Sequence, residues 1–214
     1  MARSTTTRLY LIRHGETDWN RAQRLQGAID VPLNEAGTVQ AQQLAARFTM
    51  LPLACVVSSP LARAWATAVT IARVAACPLR ADARLREVEH GSWSGLTLSE
   101  IGRRFPSLVG GDRLLPEAFA VGGGERLDDV HRRVSAVLTD LLAECDGLSV
   151  AVVGHGVALA LMICAATGLD AMRFNEHLLP NASITCLTFR RSRLVVTPAA
   201  AGSRLTPIDG EVQR

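Results

Sequence analysis

The chain has no lysine. All 23 of its basic residues are arginine, and that absence removes Schiff-base catalysis, pyridoxal phosphate chemistry and the lysine-containing phosphate loop from consideration. Also missing is any C-x-x-C pair. The five cysteines, at 55, 77, 145, 164 and 186, are odd in number and sit singly in apolar surroundings, so buried reduced thiols are expected rather than disulfides or a metal site. No block of five like charges occurs, and a formal net charge of +3 over 214 residues leaves no footprint for nucleic acid. There is no internal repeat, low-complexity tract or linker. One domain over 1–214 is expected, with about 198–214 as a loosely ordered tail.

No apolar stretch ending in a small-residue cleavage site follows Met1, so no signal peptide is expected. Residues 150–169 are nearly all apolar, but Gly154-His155-Gly156 interrupts the run near its start. That suits a buried strand turning into a buried helix better than a membrane span. The expectation is a cytoplasmic protein with no membrane partner.

What is present is ample material for a core: 48% hydrophobic and 20% charged residues, both within the globular range. Apolar runs of strand length occur at 9–12, 54–57 and 149–153. Helical patterns cover Glu35–Phe48, with Asn34 as N-cap, and Leu61–Val74, opened by Ser59-Pro60. Leu127, Val130, Val134, Val137, Leu138, Leu141 and Leu142 mark an amphipathic helix, and 157–166 is apolar all round. Residues 183–189 and 193–197 read as two final strands. Strands alternating with helices in this way predict an α/β sandwich around a mainly parallel sheet, with the strand C-termini on one edge where ligands bind.

That edge carries the chemistry. The first strand ends in Arg13-His14-Gly15, the second in Ser58-Ser59-Pro60 with Arg63 just beyond, the third in Gly154-His155-Gly156. Neighbouring guanidinium groups would hold His14 neutral and nucleophilic, provided an acceptor such as a backbone carbonyl holds its other ring N–H. Arg13, Arg63 and a helix N-terminus near Pro60 would cradle a dianion, for which phosphate is the natural occupant. His155 would donate to the transferring group. A proton donor for the leaving oxygen is also needed, and Leu85-Arg86-Glu87-Val88-Glu89-His90-Gly91 offers Glu87, Glu89 and His90 without deciding among them. A carboxyl facing a phosphate dianion there would have its pKa raised. A metal site is the main rival, but the arginines beside each candidate repel cations and no H-x-x-E-H-like cluster exists. His131, on the polar side of its helix, is explained by a solvated face.

These residues resemble the histidine phosphatase superfamily, in its phosphoglycerate mutase-like branch, over nearly the whole chain. The motifs that carry the resemblance are RHGETDWN at 13–20, RLQG at 24–27, PLNEAGTVQA at 32–41, SSPLARAWATA at 58–68, LREVEHGSWSGL at 85–96, GGGE at 122–125 and VVGHGVAL at 152–159. The resemblance implies a three-layer α/β/α sandwich and a histidine acid phosphatase-type phosphomonoesterase that works without metal or other cofactor. His14 would be the phosphorylated nucleophile and Glu87 the proton donor. Arg13, Arg63, His155, Asn20 and Gly156 would bind phosphate. Arg24, Gln26 and His90 are further candidates for substrate contact. His90 stands where the family often has an aromatic, and Ser94 where it often has Glu.

Hydrolase and mutase differ in the cover of the site. A mutase needs a second anion-binding group and a lid that keeps water from the phosphohistidine. Only about thirty residues separate Gly95 from Glu125, and they carry Phe105, Leu108, Val109, Leu114, Leu115 and Phe119 beside Arg103, Arg104 and Arg113. A small phosphomonoester with a weakly charged body is therefore the expected substrate and hydrolysis the expected reaction. Arg103 and Arg104 are expected on a solvated helix face. A phosphoglycerate mutase-type phosphotransferase is the alternative, and a catalytically silent phospholigand-binding protein is a third reading. A homodimer is the usual state for a soluble oligomer.

Overall fold

The computed structural model describes residues 6–111, 113–190 and 193–199; from residue 200 onward the expected tail lies outside the described residues. Six strands form one sheet: β1 (Thr6–Arg13), β2 (Cys55–Ser58), β3 (Leu79–Ala81), β6 (Ser149–Gly154), β7 (Ile184–Arg190) and β8 (Arg193–Ala199), in the order β3-β2-β6-β1-β7-β8. The first four in that order run parallel, and β7 and β8 return antiparallel on the far side of β1. β1 therefore lies between one parallel and one antiparallel neighbour, and its last residue Arg13 sits level with Gly154 of β6.

The alternation along β1 and β6 explains the layering. Leu9 and Leu11 of β1, with Val150 and Val152 of β6, face α5 (Leu127–Glu144) and α6 (Gly156–Thr167). Tyr10 and Ile12, with Ala151 and Val153, face α2 (Glu35–Ala46) and α3 (Ala62–Ala75). Period-two side chains thus feed a core on each side of the sheet, giving three layers. α6 is apolar all round because it is enclosed, with Ala158 to Ile163 at most 3% exposed.

The expected N-cap of α2 holds: Asn34 Oδ1 accepts the Gly37 N–H at 2.8 Å, a cap worth about 1 kcal/mol. The expected start of α3 does not. The helix begins at Ala62, with extended Leu61 as its N-cap, so Pro60 lies outside it. Asp30, from the loop before α2, supplies the missing acceptor and takes the Ala62 N–H at 2.6 Å. That helix end is already satisfied and does not cradle the ligand.

The segment between the acid motif and α5 is built of short pieces. α4 (Leu98–Arg104) opens on a capping box in which Thr97 and Glu100 exchange side-chain and backbone hydrogen bonds, a signal legible in T-L-S-E. After it come 3₁₀ turns and the two-residue strands β4 (Val109–Gly110) and β5 (Arg113–Leu114). Arg103 and Arg104 are exposed as expected. His131 is only half-buried, but its Nε2 is enclosed without a hydrogen-bond partner, so a solvated face does not account for it.

Candidate active site

The loop after β1 carries His14 into a cavity of about 230 Å³, lined among others by Arg13, His14, Asn20, Arg24, Gln26, Gly27, Arg63, Glu87, His90 and Gly156. His14 is 2% exposed. Its Nδ1 lies 2.6 Å from the Gly15 carbonyl oxygen. A carbonyl only accepts, so Nδ1 carries the proton and Nε2 keeps its lone pair. Burial, more than the adjacent Arg13 and Arg63 guanidinium groups, holds the ring well below the ordinary histidine pKa. The arginines are thus the second cause of neutrality, where the sequence pointed to them as the first.

Gly15 owes its identity to packing. A Cβ there would lie 2.4 Å from the Gly37 carbonyl oxygen, so the residue is glycine because the loop that carries His14 lies directly against the first turn of α2.

His155, at the end of β6, is fully buried with its ring centroid 5.1 Å from that of His14. Its Nε2 is 2.8 Å from Ser59 Oγ. Ser59 Oγ accepts the Leu61 N–H, so its own hydrogen is free to point at Nε2. With Ser59 as the donor in this contact the proton of His155 sits on Nδ1, which is enclosed and has no partner among the described residues. Burial first, then Arg63, His14 and Arg13, keep this ring neutral as well.

The two arginines are held differently. Arg13 Nη1 donates to the Leu179 carbonyl at 2.6 Å. Arg63, 1% exposed, donates from Nη1 to Ile29 O and from Nη2 to Gly27 O, both at 2.8 Å. Each guanidinium retains an enclosed Nε without a partner. Burial lowers both pKa values, and for both the charge of Glu87 acts in the opposite direction. Guanidinium has so high an intrinsic pKa that the groups stay charged, and both remain donors to an anion.

Glu87 sits at the N-terminus of α6. Its carboxylate accepts from Val157 N and Ala158 N at 3.2 and 3.1 Å and from its own Val88 N at 3.0 Å. A helix N-terminus favours such an anion, and Gly156, one residue before, lines the cavity. The N-terminus that meets the ligand site is that of α6, not the one near Pro60. Glu89 does not line the cavity; its carbonyl oxygen instead accepts the Glu125 N–H.

The remaining sequence candidates divide. Asn20 turns its Oδ1 to Thr17, which donates from N and Oγ1 at 3.1 and 3.0 Å, so its amide nitrogen is the end left for an anion. Arg24 lines the cavity but donates to Gly95 O at 2.6 Å and lies 3.5 Å from Glu100. Gln26 lines the wall with its Oε1 enclosed and unpartnered. His90 is buried against Phe119, with ring centroids 5.7 Å apart, and burial lowers its pKa. Ser94 does not line the cavity, and its enclosed Oγ has no partner among the described residues.

Two residues without a motif signal support the site. Arg133, on α5, forms a two-pronged pair with Glu125 at 2.7 and 2.9 Å. It also donates to the carbonyls of Arg84, Arg86 and Glu87, tying down the strand of chain that presents the carboxylate. Asn181 reaches the loop that carries His14 from the segment before β7. Neither spacing could have been read without knowing which elements meet.

A sequence profile of the histidine phosphatase superfamily (branch 1) matches residues 9–199. The chain belongs to the histidine phosphatase superfamily. Among members of that superfamily, it is 33% identical to phosphoserine phosphatase 1 of Hydrogenobacter thermophilus over 189 residues, which cover 88% of this chain and 90% of the relative. It is 36% identical to the probable phosphoglycerate mutase GpmB of Salmonella typhi over 217 residues, 96% of this chain and 99% of the relative. In three dimensions it matches a mycobacterial glucosyl-3-phosphoglycerate phosphatase with a TM-score of 0.76 at 30% identity, covering 91% of this chain and 100% of the other. Its relatives include proteins named as phosphatases and proteins named as phosphoglycerate mutases.

Proposed function

We propose that the chain is a metal-independent phosphomonoester hydrolase acting on a small phosphorylated metabolite through a phosphohistidine. The observation that carries the reading is the state of His14: enclosed, neutral, with its proton committed to Gly15 O at 2.6 Å. In this scheme Nε2 attacks phosphorus while Arg13, Arg63, the Asn20 amide, the Gly156 N–H and Nδ1–H of His155 hold the phosphoryl oxygens. Glu87, holding the proton that enters with the monoanionic ester, gives it to the departing ester oxygen as the bond to phosphorus breaks. Water then attacks the phosphohistidine, Glu87 takes its proton, and phosphate leaves with His14 neutral again. Apart from Glu87, the groups around His14 are cations and N–H donors, which attract an anion and repel a metal ion.

Hydrolysis is favoured over phosphoryl transfer by the far wall of the cavity. Leu114, Phe119, Phe174, Leu178 and Val157 form much of it. The two arginines there are engaged, Arg24 with Gly95 O and Glu100, Arg113 with the Asn175 carbonyl. A substrate with a second strong negative charge finds little there to hold it. The test is phosphate release from an aryl phosphate and a panel of metabolite phosphates, with and without chelator, beside an assay of 3- to 2-phosphoglycerate conversion. Release that survives chelator supports the reading. Fast phosphoglycerate conversion with slow hydrolysis contradicts it in favour of a mutase, and no turnover of any ester leaves a silent phospholigand-binding protein.

A further inference from the structure

We infer that Asn181 is a positioning residue for the nucleophile, locking His14 and Asn20 in their reactive orientations from the opposite end of the chain. Its side-chain nitrogen lies 3.1 Å from His14 O, 3.3 Å from Gly15 O and 3.2 Å from Asn20 Oδ1. The first two are carbonyls and accept only. The third already accepts the Thr17 backbone N–H. The amide orientation is therefore fixed by its partners, because only the NH₂ end of Asn181 can face all three.

Each contact governs something the proposed chemistry needs. Gly15 O is the acceptor that keeps the proton on His14 Nδ1 and so leaves Nε2 bare. As the ring takes a phosphoryl group it becomes cationic, and this carbonyl must keep a lone pair aimed at Nδ1–H. Donation from Asn181 to the same oxygen, with the Glu16 N–H of that peptide donating to Gln40 Oε1 at 2.8 Å, pins that peptide plane from both sides. The contact to His14 O, shared with the Ala182 N–H at 3.1 Å, pins the plane before it. The contact to Asn20 Oδ1 holds the Asn20 amide so that its nitrogen is the end left for phosphate.

The surrounding segment is arranged for this role. Leu179 O receives Arg13 Nη1, and Ser183 O receives the Arg13 backbone N–H. Ala182 adopts φ +55°, a left-handed conformation unfavourable for a residue with a Cβ and retained where surrounding contacts demand it. Leu179, Asn181, Ala182 and Ser183 thus clasp Arg13, His14, Gly15 and Asn20. Thr67 of α3 accepts the Gly15 N–H at 3.2 Å, on the peptide that carries His14 O.

The role rests on His14 as nucleophile, and two readouts separate its failure from the failure of that reading. One is kcat/KM for an aryl phosphate in Asn181→Ala and Asn181→Ser. Removing the amide lowers kcat/KM about 10- to 100-fold, in the range that misplacement of a reacting group costs, and Ser, which keeps one O–H donor, recovers part of the loss. The second is the ¹⁵N spectrum of the histidine rings in the unliganded protein, which needs no turnover. The parent shows His14 as a single Nδ1–H tautomer, and Asn181→Ala shows a mixture of tautomers. A parent that turns over no ester defeats the hydrolase reading and leaves the tautomer measurement to decide on Asn181. Unchanged kcat/KM in either variant, Ser no better than Ala, or an unchanged His14 tautomer in Asn181→Ala overturns the inference; if the Ala variant does not fold, the Ser variant decides by the same measures.

Discussion

The two ends of the cavity are built on different physics. At the end proposed to take phosphate, His14, Arg63 and His155 are at most 2% exposed, hang from the ends of the two parallel strands β1 and β6 and from α3, and are fixed by hydrogen bonds to backbone atoms and neighbouring side chains. At the far end, the wall comes from 3₁₀ turns, the two-residue strands β4 and β5, and apolar side chains such as Leu114, Phe119 and Phe174. Sites built on strand ends and helices are held more precisely than sites built on short turns and loops. Changes at the phosphate end should therefore alter rate for every substrate, and changes at the far end should alter choice among substrates.

The largest separation comes from the acid. Glu87→Gln is expected to slow turnover of alkyl phosphates by about 10²-fold or more, the scale of general acid catalysis, and of nitrophenyl phosphate far less, since a good leaving group scarcely needs a proton. Steady-state kinetics with both esters checks this, and equal slowing would remove Glu87 from the acid role.

Acid sensitivity comes next. His14 and His155 have folded pKa values held well below 6.5, so between those values and 6.5 the unfolded chain binds protons that the folded chain does not. Stability is full above pH 6.5 and is lost as pH falls from there toward the folded values, by about 1.4 kcal/mol per pH unit for each such ring. Denaturant melts at pH 7 and pH 5 read this directly. His155→Ala should flatten the slope.

Arg133 tests whether the carboxylate's support matters beyond folding. Arg133→Met removes the pair with Glu125 and the donors to three carbonyls. It should cost about 2 kcal/mol of stability, in line with charged hydrogen bonds. It should also lower kcat/KM about 10-fold for alkyl esters, with less effect on nitrophenyl phosphate. The smallest effect lies at the far wall. Phe119→Leu is expected to shift KM only a few-fold, the scale of small volume changes in an apolar pocket, in different directions for different esters. Inhibition by inorganic phosphate should be unchanged; a uniform loss of kcat for all esters would erase the distinction between the two ends.

The same contrast governs what could be read from the chain alone. The phosphate end was legible because each group follows an apolar run of strand length, and a parallel sheet brings such ends to one edge. Arg13, His14 and His155 meet there, with Arg63 at the start of α3. The reading failed where an interaction joins residues distant in sequence and carries no local pattern. Asp30 caps α3 across 32 residues, so the motif's serine and proline suggested a helix start that lies two residues further on. Arg133 and Asn181 act across 46 and 167 residues. The first looks like any arginine on a polar helix face, and the second like a turn asparagine after proline. α4 was within reach, since Thr97 and Glu100 stand at capping-box spacing. The pieces after it were not, because two-residue strands are too short for any periodicity to register.

The central claim is that phosphate passes through His14. The most direct measurement is to mix the protein with labelled aryl phosphate, quench within the first turnover, and locate the label by peptide mass spectrometry. The account predicts a phosphoryl group on His14 that is stable in alkali and lost in acid, and no label in His14→Ala. Label on His90, His155, a serine or a cysteine, or full turnover by His14→Ala, would contradict it.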